Sequence, residues 1–344
     1  MKTFSIPTVS TVQRDALQSK INLKTKPVGS LGLLESIALQ VGCIQKSLSP
    51  QFVNPHLFVF AADHGIALEG VSPFPQEVTR QMVLNFVGGG AAINVFCNQH
   101  GIEMSVIDAG VNTNFAESLP IINRKVAFGT ASFLSAPAMT PQQRDTAIAH
   151  GADIVRSAFE SGSNVVAFGE MGIGNTSSSA LIMHKICGID LEECVGRGTG
   201  HTDEGLQRKL EILTRCADNY TQSNDGASIL AHFGGFETAM VCGAFLQAAE
   251  LGMTILVDGF NITAALLCAA QISPNVLGYC IATHQSDENG HIRMLSHLGL
   301  KPVLQLGMRL GEGTGAAVAY PVIDSALRFV CEMASFEDAG ITNV

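Results

Sequence analysis

Six short apolar runs, each followed by a polar turn and then by helical spacing, constrain what this chain can fold into more than any other feature. They occupy residues 56–62, 103–107, 164–168, 253–257, 276–281 and 303–306. Most are apolar at successive positions, as a strand covered on both faces must be. Strands alternating with helices build βαβ units. The chain therefore reads as α/β, with a Rossmann-like doubly wound parallel sheet of about six strands.

What ends these runs matters as much. The first is followed by Asp63-His64-Gly65, the second by Asp108 and Gly110, the third by Gly169-Glu170, the fourth by Asp258-Gly259 and the fifth by Thr283-His284. In a parallel sheet all carboxyl ends lie along one edge, where doubly wound folds bind their ligands. One such aspartate could simply cap the next helix, but five polar strand ends along one edge favour a site. The chain ends look different, because 17–23, 30–47 and 326–334 have helical spacing. The expected organisation is a small helical domain built from both ends, 1–50 with 320–344, packed on a Rossmann-like catalytic domain, 51–319.

Charge narrows the function. A formal net charge of −10, with no Lys/Arg cluster or aromatic-basic stripe, argues against nucleic acid as a partner. A small phosphorylated ligand is still compatible, because glycine-rich turns and a single lysine can hold one phosphate. Nine cysteines, an odd number with no C-x-x-C pair and mostly apolar neighbours, read as reduced thiols. The first 20 residues have no apolar leader core, and the most apolar stretch, 238–257, is interrupted by Gln247, Glu250 and Gly252. A helix followed by a buried strand explains that stretch better than a membrane span, so a soluble cytoplasmic protein without membrane contact is expected.

Two motifs carry the chemistry. Gly169-Glu170-Met171-Gly172-Ile173-Gly174-Asn175-Thr176-Ser177 follows a strand and opens a helix rich in hydroxyls. Glycines there admit a ligand close to the backbone, and free amides at a helix start suit an anion such as phosphate. An ordinary capped turn is the plainer alternative, and the glutamate just before it favours the functional reading. The second motif is Met308-Arg309-Leu310-Gly311-Glu312-Gly313-Thr314-Gly315. A carboxylate between glycines is poorly placed for a structural salt bridge and well placed for a general base. An apolar setting would raise its pKa toward the working range. Pairing of Glu312 with Arg309, or capping of a helix, is the alternative.

Together with Lys26-Pro27-Val28-Gly29-Ser30-Leu31-Gly32, these motifs resemble those of the nicotinate-nucleotide–dimethylbenzimidazole phosphoribosyltransferase family of cobalamin lower-ligand assembly. The likeness extends through Ala62-Asp63-His64-Gly65, Pro75-Gln76-Glu77-Val78-Thr79, Gly89-Gly90-Ala91-Ala92-Ile93-Asn94 and Pro137-Ala138-Met139-Thr140. It continues through Val195-Gly196-Arg197-Gly198-Thr199-Gly200, Gly234-Gly235-Phe236-Glu237 and Leu256-Val257-Asp258-Gly259-Phe260. The resemblance implies transfer of the 5-phosphoribosyl group of nicotinate mononucleotide to 5,6-dimethylbenzimidazole or a related base, giving α-ribazole 5′-phosphate and nicotinate. It implies that Glu312 is the general base toward the incoming azole nitrogen and Glu170 a second carboxylate beside the ribose. Gly172, Gly174, Asn175 and Thr176, with Lys209 and Ser286, would surround the 5′-phosphate. Met171 and Leu310 would wall the base pocket, with Phe74, Met82 and Phe86 contributing. The resemblance also implies a homodimer in which the partner subunit contributes to each site.

No cofactor is expected. The departing nicotinate leaves a pyridinium linkage as a neutral molecule, so neither an acid nor a metal is needed. Asp63, His64, His284 and His291 could in principle gather a metal, but that is the minor reading. A dinucleotide-dependent dehydrogenase is disfavoured, because no G-x-G-x-x-G follows the first strand. A non-catalytic nucleotide- or base-binding protein, in which Glu312 only recognises an N–H, is the alternative from another class.

Overall fold

A computed structural model describes residues 1–196, 200 and 202–342. Arg197, Gly198 and Thr199 of the stretch quoted above lie outside the described residues, as do His201 and the last two residues. The strands are β1 (His56–Ala62), β2 (Glu103–Gly110), β3 (Ile121–Asn123), β4 (Val165–Met171), β5 (Thr254–Val257) and β6 (Cys280–Ala282). The helices are α1 (Arg14–Asn22), α2 (Leu33–Gln45), α3 (Glu77–Val87), α4 (Ala92–His100), α5 (Pro141–Glu160), α6 (Asn175–Cys187) and α7 (Leu191–Cys194). They continue as α8 (Asp203–Asp218), α9 (Gly226–Phe233), α10 (Phe236–Glu250), α11 (Phe260–Ile272), α12 (His291–Leu298) and α13 (Thr314–Glu332).

All six strands are parallel, in the order β3-β2-β1-β4-β5-β6. The chain winds outward from β1 to β3, then crosses back to β4 and winds the other way. The switch point therefore lies between β1 and β4, the place where doubly wound sheets open a crevice at their carboxyl ends.

The continuous apolar character of β1 has a direct cause: helices cover both faces of the sheet. Phe58, Phe60 and Ala62 join a core with Phe168, Phe245 and the buried side of α5, α10 and α11. Leu57, Val59 and Ala61 point the opposite way, into a core shared with α1, α2, α4 and α13. The apolar stretch 238–257 is explained by α10, buried along nearly its whole length, running into β5. Among the described residues no helix is long and apolar enough to cross a membrane.

Two of the expected strands differ. Residues 276–281 form mainly a 3-10 helix, Pro274–Tyr279, and only its end enters the sheet as β6. Pro274, with its fixed φ and missing N–H, opens that turn and is unsuited to a central strand. Residues 303–306 form no strand; Leu304 makes a single parallel bridge to His284. The sixth strand is β3, a three-residue edge strand after Pro120, half-exposed and too short to leave a periodic signal. The helix expected over 326–334 begins much earlier, at Thr314, so the boundary drawn at 319/320 falls inside α13.

Candidate active site

The carboxyl edge of the sheet opens into a cavity of about 670 Å³. Of the residues singled out from sequence, Glu170, Met171, Gly172, Gly174, Asn175 and Thr176 line it from the β4–α6 turn. Ser286, Leu310 and Glu312 line it from the loops after β6, and Phe74 and Met82 from the segment around the start of α3. Two residues are not brought to the cavity. Phe86 is 1% exposed and belongs to the core beneath α3. Lys209 stands behind the turn, its ammonium donating to Thr176 Oγ1 at 3.1 Å and to the Gly196 carbonyl at 3.3 Å. Burial pushes that ammonium down to about 8, with Glu288 opposing.

The two carboxylates reach the cavity by different routes. Glu170 is the penultimate residue of β4, its register fixed by pairing with Phe60 of β1. Asn175 Nδ2, at the first position of α6, donates to Glu170 Oε2. Burial pushes Glu170 up to about 8; Asn261 opposes the shift, while Glu237, Asp258 and Glu312 add to it. Glu312 instead sits on a turn in which Gly311, Glu312 and Gly313 have φ of +85°, +64° and +85°. Left-handed backbone is cheap for glycine and strained for glutamate, the kind of outlier that active sites retain. Burial, with Asp258 adding, pushes Glu312 up to about 7.

Asp258, at the end of β5, holds this turn. Its carboxylate accepts the Gly313 N–H at 3.2 Å and the Ala316 N–H at 3.0 Å, capping α13. Thr314 Oγ1 donates back to the Gly311 carbonyl at 2.7 Å. The two carboxylate-bearing segments also touch. A Cβ on Gly169 would fall 2.3 Å from the Glu312 carbonyl oxygen, and one on Gly311 would fall 2.5 Å from Glu170 Oε1. The glycine preceding Glu170 is therefore required by the turn carrying Glu312.

The four side chains that could have gathered a metal lie apart from one another in role. Of Asp63, His64, His284 and His291, only His284 borders the cavity. His64 faces Glu237, and Asp63 accepts the Asn112 N–H at 2.8 Å. His291, pushed down to about 3 by burial with His284 adding, accepts the Ser286 N–H at 2.8 Å and so stays neutral. Among the described residues no three His, Cys, Asp or Glu side chains gather as a metal site. The cavity-lining role of Asn261 has no counterpart in the sequence reading. Its one signal was an amide early in an otherwise apolar helical run.

A doubly wound sheet whose switch-point crevice holds two buried carboxylates, a glycine turn at a helix start and a largely apolar wall belongs to an α/β enzyme acting on a nucleotide-sized substrate. The phosphoribosyltransferase family model matches residues 6–341, and the chain belongs to this family. It is 51% identical to the nicotinate-nucleotide–dimethylbenzimidazole phosphoribosyltransferase of Dechloromonas aromatica, over 100% of this chain and 99% of that one. It is 48% identical to the protein of the same name from Bacteroides fragilis, over 99% of each chain. The crystal structure of CobT from Thermus thermophilus superposes with a TM-score of 0.93 at 39% identity, covering 96% of this chain and 99% of that one.

Proposed function

We propose that this enzyme moves the 5-phosphoribosyl group of nicotinate mononucleotide to 5,6-dimethylbenzimidazole or a related base, with Glu312 as general base. The observation that carries the reading is a pair of buried carboxylates, Glu170 and Glu312, brought to the rim of one cavity by the close approach of Gly169 to the Glu312 backbone.

Nicotinate is joined to ribose through a pyridinium nitrogen and leaves as a neutral ring, so no acid is needed to expel it. The developing oxocarbenium charge needs an anion nearby, and Glu170 is placed for that. Burial favours its neutral form; a pyridinium ribosyl group beside it would favour the carboxylate. The base attacks the opposite face of the sugar, converting a β-linkage to an α-linkage. As its nitrogen bonds to the sugar carbon, its second nitrogen loses a proton to Glu312. A carboxylate near pKa 7 is well matched to that transfer at neutral pH. The β4–α6 turn from Gly172 to Thr176 and Ser286 would receive the 5′-phosphate, with Lys209 supporting the turn from behind Thr176. Phe74, Met82, Met171 and Leu310 would cover the base, with Phe86 supporting them from the core.

Phe74 is 45% and Leu310 58% exposed at the cavity mouth, and the Lys26–Gly32 stretch lies away from this chain's own cavity. Both features support a homodimer in which a second copy closes the site; a monomeric mass in solution would remove that part of the proposal. The helical ends 1–50 and 320–344 are proposed as the smaller unit, and the cytoplasm as the compartment.

Glu312→Gln tests the mechanism. The variant should fold, bind nicotinate mononucleotide and release nicotinate about a hundred- to ten-thousand-fold more slowly in the presence of the base. Wild-type turnover in that variant would remove Glu312 from the reaction.

A further inference from the structure

Two stretches that carry the family likeness, Asp63-His64-Gly65 and Gly234-Gly235-Phe236-Glu237, have no part in the reaction as proposed. The fold joins them. His64, just past β1, is 0% exposed, and its Nε2 lies 2.7 Å from Oε1 of Glu237 in the first turn of α10. Burial alone would drive the imidazole neutral, but Glu237, with Asp63 and Glu170 adding, holds its pKa above the ordinary value.

The pair is wedged between two glycine backbones. A Cβ on Gly172 would lie 3.1 Å from the His64 ring, and one on Gly235 would lie 2.5 Å from the ring and 2.1 Å from the Glu237 carboxylate. Gly174 also packs on His64, through its Cβ. On the other side, the His64 carbonyl accepts from Gln76 Nε2 at 2.7 Å, immediately before α3. His64 therefore touches the β4–α6 turn through its side chain and the approach to the base pocket through its backbone only. A buried ion pair is a weak source of stability, because apolar side chains of the same volume do as well or better. That leaves geometry as its use.

We propose that His64 is a positioning residue. Clamped by Glu237, its ring is the surface on which the Gly172–Gly174 turn closes, and it sets how far that turn stands into the cavity toward the phosphate of the nucleotide. This rests on the reading of the turn as the nucleotide's side of the cavity.

The test varies nicotinate mononucleotide and base separately, in wild type, His64→Asn and His64→Gln. Asparagine cannot reach Glu237 from this position, whereas glutamine can present an N–H near the place of Nε2. His64→Asn should raise KM for the nucleotide by about tenfold or more, the scale of one lost buried contact, with KM for the base within about twofold. His64→Gln should recover most of that loss. Equal losses toward both substrates, or the same loss in both variants, would overturn the proposal. Should His64→Asn not fold, Glu237→Ala, which removes the acceptor of His64 Nε2, must show the same split, and its absence there would count equally against the idea. If wild type itself transfers nothing, the functional reading is what fails. Calorimetric titration with nicotinate mononucleotide then still tests the turn, since weaker binding by His64→Asn than by His64→Gln is expected without turnover.

Discussion

Glu170 and Glu312 are equally buried, at 6% exposure each, yet they are held in opposite ways. Glu170 lies one residue before the end of β4, a strand paired with β1 and β5, and α6 begins five residues after it. Glu312 follows nine residues, 303–311, that contain no helix and no strand beyond a single bridge. Its place is imposed from outside: by Asp258 on the amides of Gly313 and Ala316, by the Asp287 N–H on the Met308 carbonyl at 2.9 Å, and by the bare Cα of Gly169. The side that would hold the nucleotide is built from the sheet, and the side that would hold the base is hung against it. A phosphoribosyl group is the same for every acceptor, so its cradle can be rigid. The acceptor's wall can vary provided one carboxylate stays in place.

The contact at Gly169 is where the two halves are held in register, and breaking it should have the largest effect. Gly169→Ala puts a methyl group 2.3 Å from the Glu312 carbonyl and forces the turn away from β4. A displacement of about 1 Å between reacting groups can cost about a hundredfold in rate. We expect kcat to fall by about that factor or more, while binding of nicotinate mononucleotide, measured by titration, changes little. A variant with near-normal kcat would mean that the loop side is positioned independently of the sheet.

The same contrast explains what the sequence made legible. β1, β2, β4 and β5 were readable because both faces are buried, which writes an uninterrupted apolar run into the chain. Their polar ends, Asp63, Glu170 and Asp258, were readable for the same topological reason. Phe86 was misleading because an apolar residue four positions from Met82 on one helix can face the core as easily as the cavity. The run 303–306 looked like a strand because Val303 and Leu304 pack on the apolar core and bond to the chain leaving β6, yet form only one bridge there. What the sequence could not express was long-range partnership. Nothing local pairs His64 with Glu237, 173 residues away, or Asp258 with Gly313, 55 residues away.

A smaller effect should separate the two sides at the level of substrate preference. Met82 and Leu310 border the cavity and have apolar side chains, and Leu310 is 58% exposed. Truncating a partly buried apolar side chain removes about 1–2 kcal/mol of contact, or about ten- to thirtyfold in affinity at most. Met82→Ala and Leu310→Ala should raise KM for 5,6-dimethylbenzimidazole several-fold and narrow its advantage over unsubstituted benzimidazole. The nucleotide KM should not move. A parallel rise in both KM values would show that the wall is shared, and the division drawn here would be lost.

The smallest expected effect concerns stability, and it compares the two carboxylates directly. In the folded chain both hold their protons above the ordinary carboxylate range, Glu170 to about 8 and Glu312 to about 7. An unfolded glutamate ionises freely above about pH 4.3, whereas the folded ones resist, so the stability these groups contribute is complete at low pH and declines as pH rises through the folded values. Glutamine resembles the protonated form and has nothing to ionise. Glu170→Gln and Glu312→Gln should therefore melt with wild type near pH 4 and above it by a few degrees near pH 9, the shift that one or two kcal/mol produces in a chain of this size. The gain should be larger for Glu170, whose strand cannot move to let water in, than for Glu312, whose turn can. A larger gain at Glu312 would mean that the loop resists water more firmly than the sheet does. The contrast between a rigid cradle and a hung wall would then have to be reversed.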